Sequence, residues 1–137
     1  MQESFTTFRL IERLWGAGTL GRMNTQLAAV LAFWFTERTE DDWFAGGAEL
    51  DADIRERFGE LHSRVAAGEF WRERTGAQAY LAEVLVLDQF SRHIYRGSGW
   101  AFAYDGMALT LAQHAIALGH HQHLAQLERL FLYLPFM

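Results

Sequence analysis

Apolar side chains recur at three- and four-residue intervals along most of the chain, and runs of β-branched residues that would mark strands are missing, so the pattern predicts helices. Leu27, Val30, Leu31 and Trp34 form a first stripe, with Asn24 or Thr25 placed to cap it and an end near Thr36. A loop is predicted through residues 37–42. Trp43 and Phe44 should anchor it on the core, and Gly46-Gly47 should end it. Asp51 reads as the cap of a second helix, with Ile54, Phe58, Leu61 and Val65 at helical spacing and Gly68 as its stop. Phe70 and Trp71 fall in a short connection. Thr75 or Gly76 opens a third helix that runs to the turn Gly97-Ser98-Gly99.

A fourth helix is predicted from about Trp100 to Leu118. One apolar row on it holds Trp100, Tyr104, Met107, Leu111 and Leu118, and a second holds Phe102, Leu109, Ala112 and Ile116. A helix apolar on two sides is covered on two sides, as inner helices of stacked hairpins are. Leu124, Leu127, Leu130, Phe131 and Leu134 make a last amphipathic helix, stopped by Pro135. The pattern thus predicts an all-α chain of about five helices. No repeat in the sequence is visible, so a repeat-like architecture rests on the alternation of helices.

The third helix carries the densest chemistry, in the run Leu87-Asp88-Gln89-Phe90-Ser91-Arg92-His93-Ile94-Tyr95-Arg96-Gly97. On a regular wheel Tyr80, Leu81, Val84, Leu85, Leu87, Phe90 and Ile94 share one broad apolar arc, and Gln89, His93 and Arg96 lie opposite. Asp88 and Arg92, four apart, fall inside the arc. An unpaired buried charge is very costly, so they must pair with each other or with a ligand. Two readings stay open: an ion pair that fixes how the helix docks, and a site for a polar or anionic ligand. Asp105, on the flank of the fourth helix, also needs a partner, with Arg92 or Arg96 the natural one.

Composition narrows the classes. At 137 residues the length fits one domain, and hydrophobic residues at 50% suffice for a packed core. The net charge is −5 and every basic residue is arginine, so the basic footprint of a nucleic-acid binder is missing. The chain has no cysteine, which removes disulfides, thiolate catalysis and zinc-thiolate sites. No apolar run reaches membrane-spanning length and no signal-peptide pattern is visible, so a cytoplasmic protein without membrane contact is expected. His120, His121 and His123 sit in a turn without a helix to fix their geometry, and His62 reads as a surface residue, so no metal and no cofactor is predicted. Glu40, Asp41 and Asp42 lack the ordered spacing of a calcium loop, and the glycines at 97 and 99 lack the strand and Lys-Ser/Thr of a phosphate loop.

The central run, followed by Ala101-Phe102-Ala103-Tyr104-Asp105, resembles the mainly bacterial domain of unknown function 924 family, whose pattern reads L-D-Q-F-P-R-N-I-Y-R-G and then A-F-x-x-D. Phe33-Trp34-Phe35 and the stretch from Arg129 to Met137 add to the resemblance, which covers about residues 23–137. It implies antiparallel helical hairpins stacked in a tetratricopeptide-like array and carries no established activity. Ser91 stands where the family usually has proline, and His93 where it usually has asparagine. In the family the last motif continues into His-Ser-Glu and at least one further helix. The chain is therefore expected to lack a C-terminal part, to expose apolar surface near Phe131 to Met137, and to self-associate through it. Residues 1–22, with Phe5, Phe8, Leu10, Ile11, Leu14 and Trp15 in a short amphipathic stretch broken by Gly16, Gly18 and Gly21, precede the resemblance. They are expected to be an upstream extension, with Met23 the natural start; the alternative, a membrane-touching helix, is disfavoured by their little basic charge.

Three functions are open. A binding or interaction module would use Asp88, Gln89, Arg92, Tyr95, Arg96 and Asp105 to take a small anion or a peptide, because arginine forks grip carboxylates and phosphates two-pronged. A hydrolase-like enzyme would use Asp88 or Asp105 as base and His93 or Tyr95 as acid. On a regular wheel, however, His93 points about 140° from Asp88, and no nucleophile elbow or metal-binding helix motif is present. Third, the charged residues form only a structural ion-pair lock. The residues favour the binding module.

Overall fold

The computed structural model describes residues 23–137, and within them six helices and no strand. The expected extension, residues 1–22, lies outside the described residues. Helix α1 covers Thr25–Ala32 and continues through a π-helical turn, Phe33–Glu37; α2 is Glu40–Phe44; α3 is Ala48–Ala66. Helix α4 runs from Ala77–Leu85 through a second π turn, Val86–Phe90, into Ser91–Ile94. Helix α5 is Asp105–Ala117 and α6 is Gln126–Tyr133. Among the described residues no helix is long and apolar enough to cross a membrane.

Helix α4 is the hub. Its first half packs on α1, α5 and α6, and its second half on α3. It is accordingly buried on nearly every side: Tyr80, Leu81, Ala82, Val84, Leu85, Val86, Leu87 and Phe90 are all enclosed. A helix enclosed all round must answer each polar group it carries. Glu83, fully buried, receives two hydrogen bonds from Arg74, at 2.5 and 3.1 Å. Burial nevertheless outweighs Arg74 and pushes the Glu83 carboxyl above its ordinary value.

An aromatic cluster closes the end of the core between α1, α2 and α6. Phe131, fully buried, has its ring 5.7 Å from Trp34, 5.6 Å from Phe35 and 5.1 Å from Trp43. Most of these pairs meet edge to face, the arrangement the ring quadrupole favours. The Trp43 indole donates to the Trp34 carbonyl at 2.8 Å, satisfying an acceptor that the end of α1 leaves open.

Several expectations change. The predicted loop at 37–42 contains a helix instead. Thr39 and Asp42 cap each other's backbone, and the acidic side chains of Glu40, Asp41 and Asp42 suit the positive end of α2. That helix is the sixth. Trp43 anchors as expected, but Phe44 is 63% exposed. Helix α3 begins three residues before Asp51, at Ala48, so Asp51 is not its cap. The predicted fourth helix splits into a 3-10 turn, Gly99–Phe102, and α5, which leaves Trp100 and Phe102 on the surface. Gly68 (φ 78°) ends α3 as expected. Near the C-terminus Phe131 and Leu132 are buried, whereas Phe136 and Met137 are exposed.

Phe131→Ala should cost about 3–5 kcal/mol in urea unfolding, because the ring is enclosed by the aromatic rings of Trp34, Phe35 and Trp43, which cannot collapse into its space. A loss below about 1 kcal/mol would show that the cluster does not hold this end of the core.

Candidate functional site

The π turn in α4 decides which neighbour each polar side chain meets. A turn that closes i→i+5 holds roughly one more residue than its α-helical equivalent, which sets everything after Phe90 back by about 100°. His93, on the polar side of a regular wheel, thereby enters the interior and is 4% exposed. Ser91, immediately after the turn, donates its hydroxyl to the Leu87 carbonyl at 2.7 Å. With its proton so used, Ser91 Oγ accepts from His62 Nε2, also at 2.7 Å. His62 is fully buried, not on the surface as the sequence implied. Burial lowers its pKa, and its Nδ1 is enclosed without a partner, which suits a neutral ring protonated at Nε2.

Beyond the turn the candidate residues separate into two groups. In the first, Arg92 reaches across to Asp105: Nη1 donates to Oδ1 at 2.8 Å and Nη2 to Oδ2 at 3.3 Å. Nη1 also donates to the Ala101 carbonyl at 2.6 Å, and the guanidinium lies 4.5 Å from the Phe102 ring centre. Asp88 Oδ2 accepts from Gln89 Nε2 at 2.6 Å. Asp88 Oδ1 has only Arg92 Nη2, at 3.9 Å and beyond hydrogen-bonding reach. Burial pushes the Asp88 carboxyl up, against the lowering effects of the Gln89 hydrogen bond and the Arg92 charge, and the Asp105 charge adds to the rise.

In the second group Asp51, in the first turns of α3, takes its oxygens to the end of α4 and the turn that follows it. Arg96 Nε donates to Oδ2 at 2.5 Å and Nη2 to Oδ1 at 2.9 Å, while His93 Nδ1 lies 2.7 Å from Oδ1. Burial alone would raise the Asp51 pKa, but the hydrogen bonds and charges of Arg96 and His93 carry it below the ordinary value. Burial lowers the His93 pKa and outweighs the opposite pull of Asp51, so the neutral ring donates from Nδ1. Gly46 (φ 64°) crosses directly over the pair, and a Cβ there would stand 3.2 Å from Arg96 Nη2.

Asp88, Gln89, Arg92 and Asp105 therefore share one region, as the sequence suggested, and Arg92 is the partner of Asp105. Arg96 is not there: it belongs with Asp51, which the sequence offered only as a cap. Tyr95 turns to Tyr104, whose ring centre is 6.4 Å away, and its phenol is raised by burial and then by Tyr104. His93 does not meet Asp88; its carboxylate is Asp51. The signal that could have found Asp51 was an acid one turn inside an amphipathic helix, on the same side as Leu50 and Ile54. His120, His121 and His123 form a 3-10 turn, with His120 against the Tyr80 ring at 5.1 Å. No cluster of three metal-ligating side chains occurs among the described residues.

A family described as bacterial protein of unknown function, DUF924, matches residues 30–137. The chain belongs to this family. A solved structure of similar fold, that of a protein of unknown function from Agrobacterium tumefaciens, superposes with a TM-score of 0.76 at 36% identity. The match covers 80% of this chain and 62% of that one. No curated protein matches. The DUF924 family thus accounts for the all-α fold without assigning a function.

The neutral state of His93 has a measurable consequence. Its folded pKa is lowered, so on acidification the unfolded chain takes up the proton first, and stability falls as pH drops through the ordinary imidazole range. Asparagine at 93 keeps a donor toward Asp51 and removes the titration. Urea unfolding should show the unaltered chain losing more stability than His93→Asn between about pH 7 and pH 5. Equal losses would mean that folding leaves the His93 pKa unshifted, and a smaller loss in the unaltered chain would mean that the Asp51 pairing holds His93 protonated in the fold.

Proposed function

We propose that this DUF924 domain is a binding module whose recognition face comprises Asp88, Gln89 and Arg92 of α4, with Phe102 of the following turn and Asp105 at the start of α5. One observation carries the reading. A carboxylate that is 5% exposed keeps one oxygen without a hydrogen-bond donor, and its neighbour Arg92 lies over the ring of Phe102, a residue 61% exposed. A fold that meets Glu83 and Asp51 with two-pronged arginines leaves Asp88 half answered. Buried polar groups normally have partners, so an external one is the simplest complement. The Arg92–Asp105 and Arg96–Asp51 pairs then act as the frame that fixes the face, which places the lock and the binding role in one device. The succession of α1, α4 and α6, each packed on the next, supports the stacked-hairpin architecture on which such a face would be presented.

Phe102→Ala is the variant that tests the face, because the ring is exposed and its loss should leave the unliganded melting temperature within about 2 °C. In a thermal-shift screen of small anions, organic cations, neutral polyols and short peptides, any compound that stabilises the unaltered chain should lose that effect in Phe102→Ala. Undiminished shifts in the variant would place the site elsewhere, and no shift with any class would leave only the structural lock.

A second reading is self-association, favoured by the exposure of Phe44 at 63%, Phe136 at 50% and Met137 at 90%. Phe136 and Met137 adjoin in the chain, and large apolar side chains exposed together mark contact surfaces. Sedimentation velocity should show a reversible oligomer that Phe136→Ser weakens, and a monomer at every concentration would refute it.

A further inference from the structure

Tyr80 of α4 is 4% exposed, and three groups that can carry positive charge gather about it. His114 of α5 lies at its hydroxyl, with Nδ1 2.9 Å from the oxygen. His120, in the 3-10 turn His120–His123, lays its ring against the Tyr80 ring at 5.1 Å and an angle of 35°. The Arg74 guanidinium lies 6.0 Å from the centre of the same ring. The cluster shares no residue with the recognition face proposed above.

The acids on the surrounding elements are engaged elsewhere. Glu83 of α4 holds Arg74 through two hydrogen bonds. Asp105, the acid of α5, stands at its start, more than two turns before His114, and pairs with Arg92. On α6, which follows the turn and also carries Arg129, Glu128 accepts from the Ala125 amide at 2.7 Å. Within the turn itself stand His121, whose Nδ1 is enclosed without a partner, and His123.

A neutral His120 suits this setting, as one flat ring against another. An imidazolium there would face His114 and His123, which titrate in the same range, and a permanent guanidinium at the same tyrosine. The attraction of the Tyr80 ring for a cation is already engaged by Arg74. Burial, then His123, then His114 accordingly lower the His120 pKa. The turn also has something to hold. Gly119 (φ 80°) leads the chain out of α5, and Leu124, 5% exposed, ties it into the core ahead of α6.

We propose that His120 on Tyr80 is a pH-sensitive clasp, which when neutral holds the turn and Leu124 against α4 and α5, and when protonated leaves Tyr80 and loosens the approach to α6. The sign follows from linkage: the clasp is fully closed above the ordinary imidazole range and is lost as pH falls through it.

Proton and carbon-13 NMR between about pH 7.5 and about pH 4.5 tests this, with the Ile54 methyls on α3 reporting that the fold persists. Nuclear Overhauser contacts between the His120 and Tyr80 rings should vanish as His120 Cε1 titrates, with a midpoint below that of an ordinary histidine. The Leu124 methyls should shift with the same midpoint, and in His120→Gln they should stay in place. His123→Gln, at an exposed position, should raise the His120 midpoint, because one like charge is gone. Ring contacts that persist once His120 has titrated overturn the clasp, as do Leu124 methyls that move equally in His120→Gln. An unraised midpoint in His123→Gln overturns the repulsion on which it rests. Ile54 signals lost together with the ring contacts would show global unfolding and overturn the local device.

Discussion

An enclosed helix cannot leave a charge unanswered, and α4 is enclosed on nearly every side while carrying Glu83, Asp88, Arg92 and His93, with Arg96 in the turn that follows it. The π turn at Val86–Phe90 settles which neighbour answers each. It turns the last part of the helix so that His93 and Arg96 face Asp51 on α3, while Arg92 faces Asp105 on α5. Ser91 steadies the turn by closing onto the Leu87 carbonyl and taking His62 as donor. Docking α4 against α3 and against α5 is thus one arrangement, written in the rotation of a single helix.

The two ion pairs differ in what surrounds them. Asp51 is 6% exposed and receives three donors, so its charge is well compensated and its pKa falls. Arg92 and Asp105 keep side-chain exposures of 33% and 43%, where water competes and a pair contributes only about 0.5–1 kcal/mol. The weaker pair lies beside the under-compensated Asp88. Strength on the α3 side and economy of donors on the α5 side are what leave an acceptor open at the surface.

Much of the fold was legible in the sequence. The stripes of α1, α3 and α6, the stop at Gly68 and the helical class all follow from spacing, because burial of one helix face imposes a 3.6-residue period. The pairing of Arg92 with Asp105 was legible as a demand, since an acid on an apolar flank requires a base. What was not legible traces to local geometry. A wheel turned at a constant angle cannot foresee a π turn, so His93 was placed outside and Arg96 was left open as a partner of Asp105. Asp51 looked like a cap because aspartate often is one, while Gly46 and Gly47 let α3 begin earlier. His62 looked superficial because its need for Ser91 arises only from the tertiary arrangement. Trp100 and Phe102 looked like core because the apolar pattern continues through a segment that is a 3-10 turn.

The central claim is that Asp88 is held in the interior without enough donors to stabilise its charge. Carbon-13 NMR titration of the Asp88 carboxyl measures this directly. A midpoint above that of an ordinary aspartate is what incomplete compensation predicts. A midpoint at or below the ordinary value would show that Arg92 or another donor already satisfies Asp88, and the open acceptor would not exist.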